Sequence, residues 1–174
     1  MWLAVGSIGG VNVFSGSLGK WHVQSANVGG NWTKAGATVK VAVGDVSAFG
    51  GTVLVDLLPT NVTATVSRGK WAFAKAASVK YAKPKASQPT YTLPDATGKA
   101  LIVDMSKGKT NVSGAKLTYT PKTGMIKGSF KVFAMSGTRL SKYTMNVTGV
   151  VIDGVGHAKA TCKRPAVTWS MTVE

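Results

Sequence analysis

The sequence predicts an all-β protein, an antiparallel sandwich or a partly closed barrel that ends in a β-meander. Three observations carry that expectation. Residues 116–174 alternate apolar and polar side chains in short runs broken by Thr123-Gly124, Ser136-Gly137 and Asp153-Gly154, the period-2 pattern of strands and reversals. Over the first 58 residues glycine recurs roughly every seven to ten positions, with Val, Ile, Phe and Trp between, which reads as short strands and tight turns. No segment has the length and period of a helix, since the alanine-rich residues 74–79 are few and sit among β-formers. At 174 residues the chain is long enough to bury a core without metal or disulfide staples.

Taken in order, strands are expected at 11–18, 20–28, 37–43 and 52–58, where Pro59 ends the run because proline cannot donate to a central ladder. Residues 61–66 and 70–73 continue the pattern. A β-helix-like N-terminal half is the alternative, although no repeat of fixed period occurs. Residues 83–114 then form a Pro- and Lys-rich connection and loop, with Pro84, Pro89 and Pro94 close together and a short strand at 100–105. The expected organisation is a Gly-rich β unit at 1–82, this connection, and the meander at 115–174, within one compact domain.

The meander is the most legible part. Pro121 to Gly124 suits a turn with proline first and glycine last. Ile126, Gly128, Phe130 and Val132 share one face of the next strand, and Tyr143, Met145 and Val147 one face of the strand after it. Asp153-Gly154 is the strongest two-residue hairpin signal, because both central positions of a type I′ turn need positive φ. Val167, Trp169, Met171 and Val173 face one way in the last strand, leaving Thr168, Ser170 and Thr172 wet. By the same alternation Cys162, the single cysteine, is a small core residue without an intrachain partner.

Charge is the strongest global anomaly. The formal net charge is +15, and it is uneven: residues 1–66 hold three lysines and two acids, residues 67–174 hold 18 basic residues and four acids. Such a field attracts nucleic acid, acidic polysaccharide or an anionic cell surface. It also serves the plainer purpose of solubilising a Val- and Thr-rich β surface and blunting strand edges. Met1 is followed directly by Trp2-Leu3-Ala4-Val5, with no basic leader and no apolar run long enough for a signal or membrane helix. A segment of a longer parent is expected, without membrane insertion.

The strings TGMIKGSF at 123–130, VTGVVIDGVG at 147–156 and WSMTVE at 169–174 resemble a C-terminal β module, without an assigned activity, of large secreted or surface proteins of gut and environmental bacteria. The lead-in GKWAF at 69–73 and Lys80-Tyr81 are similar to it as well. The likeness spans residues 60–174 and rests on turn and core residues, so it implies a fold and a multidomain surface setting and lends no chemistry. His157 departs from it, standing where an aromatic residue, usually tyrosine, is expected.

Chemistry-bearing patterns are sparse. Asp153 and His157 are four apart and would share a face of a continuous strand, as a carboxylate orienting an imidazole base does; Asp153 is equally a turn residue and His157 a rim residue. His22 joins them only if the fold brings the halves together. Neither histidine has metal-ligand spacing with Asp45, Asp56 or Asp104, so no metal is expected, and no cofactor motif is present. Gly108-Lys109-Thr110 lacks the phosphate loop's first glycine, and Gly154-Val155-Gly156 lacks the third glycine of a dinucleotide loop. Aromatics beside cations are the better lead: Lys20-Trp21, Trp32 near Lys34, Lys70-Trp71, Lys80-Tyr81 and Lys142-Tyr143. A ring stacks on a sugar while lysine meets a carboxylate.

The expectation is therefore a non-catalytic β module, secreted or at the cell surface as part of a larger protein. It binds an anionic glycan or surface polymer through Trp32, Trp21, Lys34, Lys80 and Lys142. Two alternatives stand beside it: a small ester or phosphoester hydrolase using His157, Asp153 and His22, and a non-specific nucleic-acid binder without a reading motif.

Overall fold

A computed structural model describes residues 34–60, 62–67, 70–82, 86, 90–92, 99–104 and 111–174, together with two short backbone pairings nearer the N-terminus. The latter amount to four two-residue strands in two pairings, β1 (Leu3–Ala4) with β4 (Gly16–Ser17) and β2 (Ser7–Ile8) with β3 (Val11–Asn12). The expected strand at 20–28 lies outside the described residues. There follow β5 (Lys34–Ala42), β6 (Thr52–Val53), β7 (Val62–Ser67), β8 (Lys70–Phe73), β9 (Ser78–Ala82), β10 (Thr90–Tyr91) and β11 (Ala100–Asp104). The meander is β12 (Lys116–Thr120), β13 (Met125–Ser136), β14 (Arg139–Ile152), β15 (Val155–Cys162) and β16 (Val167–Val173). No α-helix occurs among the described residues.

The all-β expectation is met. Strands β5, β7, β8, β12, β13, β14, β15 and β16 pair antiparallel, each with the next in that order, and β16 returns to β5, so the ladder closes into an up-and-down barrel. Among the described residues closure is thinnest between β8 and β12, where Thr118 opposite Lys70 is the one matched pair. A small barrel filled by its own side chains is physically two faces packed together. From residue 34 onward the N-terminal half runs antiparallel in this barrel, which leaves no β-helix turns there.

Its interior alternates bulk and space along the register. One row across the sheet reads Leu117, Gly128, Val147, Ala160, Trp169, and its neighbour reads Tyr119, Ile126, Gly149, Ala158, Met171, Val41. A large side chain is therefore met by glycine or alanine on the next strands. Trp169, Phe130, Ile126, Met145 and Met171 are all essentially inaccessible. Cys162 is buried at the end of β15, as expected.

One end is capped by the segment after β5. A 3₁₀ turn at Ser47–Phe49 drives Phe49 into the barrel, edge-on to Trp169 at 5.7 Å and to Tyr143 at 5.0 Å. Asp45 shapes this cap: the Ser47 hydroxyl and backbone N–H both donate to it and hold its carboxyl below the ordinary value. A depressed folded value means that the stabilisation is present above the ordinary carboxylate range and is lost as pH falls through the lowered value. Trp169 Nε1 sits 3.5 Å from the Asp45 carbonyl, so tryptophan emission reports the cap. Emission is expected to change below about pH 4, and Asp45→Asn is expected to abolish that acid step.

The expected strand at 52–58 is corrected. Only Thr52–Val53 pairs, and Val55–Leu57 turns as a 3₁₀ helix. Leu54 and Leu57, three apart, must both reach the second core, which a period-2 strand does not allow. That core lies where Phe133 and Met135, on the outer face of β13, meet Leu101 and Val103 of the antiparallel sheet β10-β11-β9. The connection at 83–114 therefore supplies two of this sheet's three strands.

A buried amide ties the insertion to the barrel. Asn111 donates through Nδ2 to the Ala74 and Ala115 carbonyls at 3.1 and 2.8 Å, and its Oδ1 accepts from the Ala115 N–H at 2.7 Å. Asn111→Ala orphans these buried backbone groups at about 1–3 kcal/mol each. A loss of about 3 kcal/mol is expected in urea unfolding, with the slope unchanged.

Candidate functional site

Strand geometry scatters the residues that adjacency in sequence had grouped. Trp21, His22 and Trp32 lie outside the described residues. Lys34 begins β5 opposite Val66. Lys80 is exposed on β9 opposite Ile102, and Lys142 is exposed on β14 opposite Phe133. Their sequence neighbours point the other way, because successive side chains leave opposite faces of a strand. Tyr81 packs toward the second core and Tyr143 toward the first, its hydroxyl donating to the Phe49 carbonyl at 3.0 Å. Trp71 is likewise buried. The ring and cation that do meet are Tyr81 and Lys99, with Nζ 5.8 Å from the ring centroid.

Asp153 and His157 are not on one continuous strand. Asp153, at φ 48, and Gly154, at φ 77, form the hairpin turn. His157 stands on the outer face of β15 between Val150 and Thr172. Among the described residues no three His, Cys, Asp or Glu side chains gather as a metal set.

Two features do assemble. The first is a cleft of about 420 Å³ at the thin seam between β8 and β12. Trp71 and Phe73 line it, stacked at 6.0 Å and 8°, with Lys75 and Lys116 at its edges. The Asn111 amide beside it is spent on backbone and is structural.

The second is the outer face of β12 to β15, continuing onto β16. Its rows follow from the register. One reads Thr118, Lys127, Thr148, Lys159, Ser170, and the next reads Lys116, Ser129, Asn146, Thr161, Thr168. Lys131, opposite Thr144 and hydrogen-bonded to its hydroxyl, adds a fourth cation, and Lys142, two residues along β14 from Thr144 and exposed on the same face, adds a fifth, so this one of the residues expected from the sequence belongs to the face. Lys127 and Lys159 are two strands apart, about 10 Å. Lys116 lies diagonal to both Lys127 and Lys131, at about 7–8 Å.

None of these five strands contains an aspartate or glutamate. The carboxylate of Glu174 lies just past β16 and is taken by Lys40. Like charges about 8 Å apart repel by about 0.5 kcal/mol per pair even in water, so the face is electrostatically loaded and an anion laid across it relieves that repulsion. The Asn146 amide and the Thr148, Thr168 and Ser170 hydroxyls lie between the cations at the same level, while Thr118 and Thr161 donate to the Lys127 and Asn146 carbonyls. Lys116, Lys127 and Lys159 have no aromatic neighbour in sequence. The signal for them was the wet half of each alternating run, together with the complete lack of acids there.

No protein-family model, no curated protein and no solved structure matches the chain. No helix among the described residues is long and apolar enough to cross a membrane.

Proposed function

We propose that the chain is a non-catalytic β module that binds an anionic glycan or surface polymer along the outer face of β12 to β16. The observation that carries this reading is two adjacent rows across five consecutive strands, outside the part of β13 covered by the second sheet, that offer lysine, hydroxyl and amide groups and no carboxylate. A shallow, laterally extended face with cations about 7–13 Å apart suits a repeating polyanion better than one small molecule. Lysine contributes attraction and the Thr and Ser rows contribute polar contacts, with no nucleophile or paired acid required. The likeness of residues 60–174 to the bacterial surface module supports a secreted or cell-surface setting within a larger protein.

The test is titration with a linear polyuronate, a neutral glucan and duplex DNA, each at low and high salt. The reading predicts polyuronate binding that weakens with salt but persists at 0.15 M ionic strength, where the screening length is about 8 Å. Equal binding of DNA and polyuronate that vanishes with salt would leave a diffuse field in place of a glycan face.

A further inference from the structure

We infer that the capped mouth of the barrel is a second site, built for one carboxylate-bearing sugar ring. The inference rests on the anionic-glycan reading and names the sugar class. Strands β13 and β14 run past the barrel's end, so their inward-facing positions continue beyond the core as Ala134, Ser136, Arg139, Ser141 and Tyr143. The cap at Phe49, Gly50 and Gly51 lies opposite, enclosing about 260 Å³. That is below the roughly 300–1,000 Å³ of pockets for drug-sized ligands, so a single ring suits it better than a longer oligomer.

Each group present has a use for such a ring. Tyr143 is held in place by its hydroxyl's bond to the Phe49 carbonyl and by edge contact with the Phe49 ring, so it offers a fixed, half-buried apolar wall. Ser136 and Ser141 offer hydroxyls at the level where sugar hydroxyls would lie. Arg139 stands across the turn from Ser136, and no carboxylate among the described residues is within ion-pair distance of it. Its planar fork matches a carboxylate through two parallel hydrogen bonds, which lysine cannot reproduce. Gly51 keeps the opposite wall close, since a Cβ there would fall 2.3 Å from the Met135 carbonyl oxygen. The lysine face lies on the outside of the same strands, so a chain seated there and a ring bound at the mouth use different groups.

The experiment is titration of the whole chain with D-glucuronate and D-galacturonate, each against its methyl ester, followed by calorimetry and amide chemical shifts. At least one acid is expected to bind about tenfold more tightly than its ester, with shifts at 49–51 and 134–143. Arg139→Gln and Arg139→Lys are each expected to lose about tenfold, while Lys127→Gln/Lys159→Gln binds the monosaccharide as the unaltered protein does. Equal affinity for acid and ester, no binding of either, or an Arg139→Gln variant that folds and binds unchanged would overturn the inference. Polyuronate binding that survives such a result would leave the reading of the lysine face standing. A polymer response to Arg139→Gln but not to the lysine variants would overturn that reading and spare this one.

Discussion

Gly149→Ala is expected to cost the barrel about 3 kcal/mol or more, the upper end of overpacking penalties. An added Cβ would lie 2.2 Å from the His157 carbonyl oxygen, 2.5 Å from Ala158 Cβ and 2.6 Å from Ala158 Cα. These are backbone and first side-chain atoms of the paired strand, so no rotamer change relieves the clash. Gly128 has the same constraint on the other side of β14, where its Cβ would meet the Lys116 carbonyl oxygen at 2.0 Å. Both positions mark where a sheet must coil sharply to close, and glycine is the residue that permits it. The check is the urea midpoint against Ser170→Ala on the outer face, where little change is expected. A Gly149→Ala midpoint equal to that control would mean that β14 and β15 are not coiled as described.

Replacing Lys116, Lys127 and Lys159 together by glutamine is expected to weaken polyuronate binding about a hundredfold. A lysine facing an anionic surface contributes about 1 kcal/mol, and three such losses make about 3 kcal/mol, or two powers of ten. The fold should tolerate the change, since all three side chains are exposed and stand in a like-charged cluster; a slight gain in stability is the expected direction. Lys75, Lys99 and Lys163, changed together, remove the same charge from exposed positions outside the outer-face rows. They are expected to weaken binding by no more than about tenfold, through the overall field alone. Equal losses from the two triples would assign binding to net charge.

The fold was more legible in the sequence than the site, for a physical reason. Period-2 patterning, turn glycines and Asp153-Gly154 are local signals, and they located β12 to β16, the I′ turn and the inward set from Ile126 to Val173. Closure is not local. Strand β5, which completes the ring by pairing with β16, lies more than a hundred residues away in sequence. The pairing is visible only in register, as in Val39 opposite Val173. The 3₁₀ turn at Val55–Leu57 left no period-2 signal because the apolar run around it divides between two cores, Val53 and Leu58 in the first and Leu54 and Leu57 in the second.

Adjacency along the chain does not define a face of a sheet. Lys80-Tyr81 and Lys142-Tyr143 are neighbours along the chain and for that reason face opposite sides of a strand. Lys127 and Lys159, 32 residues apart in sequence, share one row of one face. Arg139 carries no local signal, because the residues that line the mouth with it, Ser136, Ser141 and the Phe49 cap, come together only when β13 and β14 extend past a plugged barrel end.

The most direct measurement is a map of backbone amide shifts as a linear polyuronate is titrated into the whole chain at 0.15 M ionic strength, where screening confines contacts to about 8 Å. The account predicts that the largest changes fall at residues 116–118, 127–131, 144–148, 159–161 and 168–170, saturating together with one affinity. Shifts spread evenly over lysines on every side, or centred on His157 and Asp153, would contradict it.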